Sequence, residues 1–269
     1  MSLSTRVLEG AEPSGHILQL YGSDERVLIK NVSRYLKEGL RLGDALIVIA
    51  TAAHREAFAT HLKLNCAGAE EEGRIVWLDA EETLAQFMAD GQPQWARFER
   101  TIQSALDKAR GHAEHPGVRA YGEMVGVLWK SGQRAAAIRL EKFWNRLLEG
   151  AAFRLYCGYP IDVFSAEFRT AGVEAILCAH THLVPAGEGG EVRWAVQLAM
   201  DDILGPEACG AKALVHSRYR FSGAKISSTE AMILSLRETV PAAAEEILER
   251  ARGYYHSEKR LLRFGKRHH

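Results

Sequence analysis

Short apolar runs alternate with amphipathic stretches along the first two thirds of the chain. Strands are expected at Ile17–Tyr21, Ala45–Ala50, Arg74–Leu78, Val118–Tyr121, Phe153–Gly158 and Ala175–Ala179, each a compact run rich in aliphatic or aromatic residues. Between the first two, Val27, Leu28, Asn31, Val32, Tyr35, Leu36 and Leu40 recur at helical spacing. Ser23 or Asp24 is placed to cap that helix, and Gly39 or Gly43 to stop it. A second stripe, Ala137, Leu140, Glu141, Trp144, Leu147 and Leu148, ends at Gly150. Buried strands separated by helices must be joined by crossovers, and crossovers give parallel neighbours. The expected body is therefore α/β: a doubly wound, mainly parallel sheet with helices on both faces.

After Leu183 the pattern changes. The segment PAGEGGE, residues 185–191, reads as a loop, and VRWAVQLAMDDILG after it as a helix. Ser227 and Glu230 have the spacing of a capping box, and Pro241 suits the first turn of a further helix. This divides the chain into a sensory-type α/β body over 15–184, a linker and helix over 185–205, and a mostly helical extension over 206–269. Charge follows the same division. From Pro206 onward there are 12 Lys and Arg against 7 Asp and Glu, leaving 22 against 27 before it, so the extension is +5 and the body −5. Such a tail fits docking on its own body or on an acidic partner; the extension is expected to serve as an output or oligomerisation segment, and the chain to be a homo-oligomer. No basic cluster with interleaved aromatics points to nucleic acid, so that partner is not expected.

Composition narrows the classes further. At 47% hydrophobic and 25% charged, the 269 residues can bury a sizeable core. No apolar run is long enough to span a bilayer, and the N-terminus lacks the apolar stretch of a signal peptide, so a cytoplasmic protein without a membrane partner is expected. Cys66, Cys157, Cys178 and Cys209 form no C-x-x-C pair, which suggests neither a disulfide framework nor a structural zinc.

The junction after the first strand, Gly22-Ser23-Asp24-Glu25, stands where a mononucleotide-binding protein would cradle phosphate. A phosphate loop needs several glycines and a Lys-Ser/Thr pair. Here the turn is short and acidic and has no lysine, and two carboxylates at the helix start repel an anion. There is no G-x-S-x-G elbow, no H-E-x-x-H and no cysteine with a positioned base, so no catalytic residue is assigned. His180 and His182 flank one threonine, but without a third ligand they read as strand-end histidines, and no metal ligand is assigned. Trp144 belongs to the helical stripe and reads as packing. His256 beside Glu258 is only superficially like a phosphoacceptor helix, because no kinase segment follows.

Four blocks carry a family resemblance: GHILQLYGSDERVLIKNVSRYLKEGLRLGDALIVIATAAHREAF, GRIVWLDAEETLAQFMADGQPQWARF, VRAYGEMVGVLWKSGQRAAAIRLEKFWNRLL and FRLYCGYP. In this order they resemble the MEDS domain, the methanogen/methylotroph sensory domain first associated with a dichloromethane-responsive repressor, over about Gly15 to Leu183. The resemblance implies a RecA/KaiC-like core, here without a phosphate loop, used for sensing beside a signalling or DNA-binding module. It implies no particular ligand or cofactor, and beyond Leu183 it fades.

In a RecA-like order the first strand would lie beside the fourth, and ligands would bind where strand order reverses, outside the carboxyl ends. The expected ligand-binding residues are then Tyr21, Ser23, Asp24, Thr51, His54, Asp79, Glu123 and Trp129. Aromatic rings, a few hydrogen-bonding groups and two acids suit a small, weakly polar molecule. A structural contact from Glu123 to Arg119 or His54 remains the competing reading. The expected function is a non-catalytic sensory or signal-transduction protein that binds a small molecule or a protein partner, with the C-terminal helices relaying its state. The alternatives are a degenerate RecA-like ATPase that binds nucleotide, with Glu123 and Asp79 as metal-holding carboxylates, and a DNA-binding regulator acting through Arg218, Arg220 and Lys225.

Overall fold

A computed structural model describes residues 15–71, 73–111, 117–185, 190–205 and 226–265, together with Leu8, Gly210 and Val215. In the body, strands β1 (Gly15–Leu20), β2 (Ala45–Ala50), β3 (Ile75–Asp79), β6 (Val118–Gly122), β7 (Arg154–Tyr159) and β8 (His182–Val184) form one parallel sheet in the order β3-β2-β6-β7-β1-β8. A two-residue hairpin, β4 (Met88–Ala89) and β5 (Gln92–Pro93), lies outside it. Helices α1 (Arg26–Arg41) and α2 (Ala52–Glu71) cover one face. On the other lie α3 (Ala80–Phe87), α4 (Trp95–Arg110), α5 (Met124–Lys130), α6 (Arg134–Gly150) and α7 (Thr170–Ala179). The doubly wound α/β architecture is as the apolar pattern predicts.

Three expectations need correction. Ala175–Ala179 is the end of helix α7, not a strand. Val173, Ile176 and Leu177 are buried while Ala175 and Cys178 are exposed, which is helical spacing rather than alternation. The sixth strand starts at His182 instead. The first strand does not lie beside the fourth, because β7 pairs with both β1 and β6 and so separates them. Neither Ser23 nor Asp24 stands at the cap position of α1, which is Glu25, whose side chain makes no capping bond; the Asp24 carboxylate accepts from the backbone N–H of Arg26 (3.4 Å) and from its guanidinium.

The two glycines near the end of α1 serve different needs. Gly43 (φ +83°) takes the left-handed turn that leaves the helix. Gly39 lies inside the helix, and a Cβ there would come within 2.7 Å of the Arg119 side chain, so its bareness lets that arginine pass.

Strand alternation divides the buried residues between the two faces. Ile17, Tyr21, Leu46, Val48, Tyr121 and Tyr156 pack under α1 and α2, against Leu28, Val32, Leu36 and Phe58. Leu18, Leu20, Ile47, Ile49, Ala120, Leu155, Cys157 and Tyr159 face the larger cluster with Phe98, Leu140, Trp144 and Leu177. That cluster continues without a break into α8 (Glu191–Leu204), α9 (Ser228–Thr239) and α10 (Pro241–Gly265) through Val196, Met200, Ile233, Leu236, Ile247 and Leu248. Ser227 caps α9 by accepting from the N–H groups of Thr229 and Glu230, and Pro241 opens α10, as expected. Arg237 fastens these helices to the loop after β7, donating to the carbonyls of Phe164, Ser165 and Phe168. Among the described residues, no helix is long and apolar enough to cross a membrane. Arg218, Arg220, Lys225 and the side chain of Glu258 lie outside the described residues.

Candidate functional site

Four of the eight expected site residues meet at the carboxyl ends of the strands, through one carboxylate. Glu123 is the residue that leads β6 into α5, with 3% of its surface exposed. One oxygen accepts from the Thr51 backbone N–H (2.9 Å) and hydroxyl (3.2 Å), and the other from the Tyr21 hydroxyl (3.3 Å). The same oxygen lies 2.6 Å from Nδ1 of His54, whose Nε2 is 3.2 Å from a Glu25 oxygen. Of the two structural partners considered for Glu123, His54 is the one found; Arg119 instead reaches Asp44.

The surroundings set the protonation of this network. Burial lowers the pKa of His54, but the bond and charge of Glu123, with a smaller contribution from Glu25, outweigh it and hold the imidazole above its usual 6.5. Burial also raises the Tyr21 phenol, and the Glu123 charge adds to that. A folded-state pKa raised above the unfolded one gives stability that is complete below the unfolded value and is lost as pH rises through the folded value. In urea titrations across about pH 6 to 9, wild type should exceed His54→Gln in stability most at the acidic end, with the gap closing towards the alkaline end. A gap constant across that range would show that no such ion pair forms.

The other four expected residues are dispersed. Asp79 caps α3, accepting from the N–H groups of Glu81 and Glu82, and pairs with Arg55 at 2.7 Å. Trp129 is buried, donates from its indole N–H to Glu167 (2.7 Å) and packs edge-on against Tyr159. Ser23 and Asp24 line a crevice of about 40 Å³ with Gly22, the β7-following residues Asp162, Val163 and Phe164, and Tyr255 and His256 of α10. By the same measure a water molecule takes about 10–15 Å³, so the crevice has room for roughly three. Asp162, one of its lining residues, pairs with Arg252 of α10 (3.2 Å).

A second polar centre, which the sequence reading did not assemble, lies on the opposite face of the sheet, inside the larger core. His16 enters from β1, Cys157 from β7, Glu141 from α6, and His180 from the residue that ends α7. All four are buried, and one ligand-type atom from each lies within 4.8 Å of the others. His16 Nε2 is 3.3 Å from Cys157 Sγ and 3.3 Å from Glu141 Oε2, and His180 Nε2 is 3.5 Å from Glu141 Oε1. The two rings touch, with centroids 3.9 Å apart. His180, read as a strand-end histidine, is instead buried in this centre at the end of α7, and His182 opens β8 beside Thr181.

The outer partners fix the tautomers. Nδ1 of His16 faces two acceptors, the Asn145 side-chain oxygen (2.8 Å) and the Ala179 carbonyl (3.1 Å), while the Asn145 amide donates to that same carbonyl (3.0 Å). Nδ1 of His180 faces the Ile176 carbonyl at 2.7 Å. Both Nδ1 atoms therefore carry the proton, and both Nε2 lone pairs point into the centre. The Tyr159 hydroxyl donates to Glu141 Oε1 (2.7 Å), whereas Glu141 Oε2 and His180 Nε2 have no hydrogen-bond partner. Burial lowers His16 to about 4 and His180 well below its usual value. It raises Glu141 to about 8, against the pull of the Tyr159 bond, and raises the Cys157 thiol. With protons alone, the centre is a neutral polar island in an apolar core.

A family model described as MEDS, the MEthanogen/methylotroph, DcmR Sensory domain, matches residues 15–181. No curated protein matches the chain.

Proposed function

The chain belongs to the MEDS family of sensory domains, and from that premise we propose a non-catalytic signal-transduction protein. In this reading a small, weakly polar molecule binds in the crevice beyond β1, and the C-terminal helices relay its presence to a partner protein or a second copy. The observation that carries the proposal is the shared wall: Ser23 and Asp24 of the body face Tyr255 and His256 of α10 across one crevice. An occupant there would touch both parts at once, and differential contact is what lets a ligand shift a conformational equilibrium.

Size favours a molecule of a few heavy atoms. The crevice of about 40 Å³ is small beside the roughly 300–1,000 Å³ of ordinary cofactor pockets. Its rim carries Asp24 and Asp162, whose charges are paired with Arg26 and Arg252. The nucleotide-binding alternative has less support, since both Glu123 oxygens already accept bonds from Tyr21, Thr51 or His54.

Dichloromethane and short alcohols are suitable first probes. Hydrogen exchange of the full chain should slow in two separate segments on binding, Asp162–Phe164 and the part of α10 around Tyr255. Unchanged exchange in both segments with every probe would remove the crevice as the sensing site. Slowing confined to the body would remove the relay.

A further inference from the structure

We propose that His16, Glu141, Cys157 and His180 form a closed, four-coordinate site for a divalent zinc-class metal ion. The donor set is one thiolate, one carboxylate and two imidazoles, a combination that suits zinc. Tetrahedral coordination with bonds of about 2.0–2.3 Å places neighbouring donor atoms about 3.3–3.6 Å apart. The separations from His16 Nε2 to Cys157 Sγ and to Glu141 Oε2, both 3.3 Å, fall in that interval, and one ligand-type atom from each of the four residues lies within 4.8 Å of the others.

Orientation supports the assignment independently of distance. Both imidazoles have their outer nitrogen engaged by a carbonyl or amide oxygen, the usual outer support of a metal-bound histidine. Tyr159 holds one oxygen of Glu141 and leaves the other facing His16. A purely hydrogen-bonded polar core would satisfy its members, yet His180 Nε2 is buried without a hydrogen-bond partner and Glu141 Oε2 has only His16 Nε2 beside it, at 3.3 Å. A dication supplies what the His180 lone pair is missing and accepts the Glu141 carboxylate as well.

The charges also balance. A thiolate and a carboxylate neutralise a dication, so the loaded centre carries no net charge in the apolar core. On loading, the thiol proton of Cys157 and any proton on Glu141 leave to solvent, and no redox change occurs. With each ligand residue at 4% exposure or less and four donors present, no coordination position is left for substrate. The role is structural: one ion would join β1, α6, β7 and the turn between α7 and β8, segments distant in sequence.

The test uses the full chain, unfolded in the presence of chelator and refolded with one equivalent of Co(II). One cobalt per chain is expected, with a thiolate-to-cobalt charge-transfer band and intense tetrahedral d–d bands, both displaced by Zn(II). Histidines elsewhere, such as His268 and His269, can bind cobalt but cannot give the thiolate band. Cys157→Ser should abolish that band, and His180→Ala should weaken zinc binding at least tenfold. Should Cys157→Ser fail to refold, a variant with Cys66, Cys178 and Cys209 all replaced by Ser decides the matter, because Cys157 is then the only thiol. A band retained in that variant supports the site. Its absence there, its survival in Cys157→Ser, or cobalt bound without it overturns the proposal.

Discussion

Glu123→Ala should lower the unfolding free energy by about 3–5 kcal/mol, the usual consequence of removing one partner from a buried ion pair. The carboxylate accepts from Tyr21, Thr51 and His54, so its loss strands a buried imidazole, a backbone N–H and a phenol together. Those groups come from the exits of β1 and β2 and the first turn of α2, and one side chain holds them in register. Glu123→Gln should be milder, because the amide oxygen can still accept at one of the two positions. Urea unfolding of the three proteins provides the comparison, and an alanine variant within 1 kcal/mol of wild type would show that water takes over the bonds. The residue thus holds the strand ends together, and any effect of its removal on ligand binding has to be read after this loss of stability.

Arg119→Met should cost a similar amount, about 3–5 kcal/mol. The arginine sits in β6 with 1% of its surface exposed, and its Nε donates to Asp44 at 2.9 Å. One Nη reaches the carbonyls of Leu8 (2.9 Å) and Tyr35 (3.2 Å), and the guanidinium lies over the Tyr35 ring at 5.1 Å. Methionine preserves much of the apolar stem but supplies no donor, so the Leu8 carbonyl and a largely shielded carboxylate lose the arginine, and the Tyr35 carbonyl keeps only its helical bond. The measurement is again the urea midpoint, with limited proteolysis before residue 15 reporting release of Leu8. A midpoint unchanged from wild type would mean the ion pair contributes nothing net.

Much of the fold is legible in the apolar pattern because strands and helices there are long and periodic. The stripe through Leu140, Trp144 and Leu147 is the buried face of α6, and five of the six expected strands lie within a residue or two of the observed ones. The run Ala175–Ala179 misleads because a short apolar stretch fits a strand or a buried helix equally well, and only tertiary packing separates them. Strand order is not written in local pattern at all. It depends on which crossover passes which edge, and here β7 comes between the first and fourth strands.

The sites divide in the same way. Tyr21, Thr51, His54 and Glu123 could be grouped because each stands just beyond or at the end of a strand, where a parallel sheet gathers its loops. Trp129 could not be placed, since the side it turns to on α5 follows from packing against Tyr159. The His16 centre draws one residue from each of four segments, with no two at a ligand spacing along the chain. Its one local signal was Glu141, a carboxylate within the apolar stripe of α6. An acid at such a position is almost never buried without a partner, and the partners had to come from the strands beneath.

The position of β1 also sets an order of assembly. The strand lies between β7 and β8, with Gly15 opposite Arg154 and Ile17 opposite His182. During synthesis it precedes the other described strands, and neither neighbour exists until well over a hundred further residues have been translated. Strands β2, β3 and β6 can pair with one another in the meantime, while β1 waits on a long tether with its apolar residues exposed. Closing that loop brings together contacts of large sequence separation, which slows folding and lengthens the interval in which the nascent chain needs protection from aggregation.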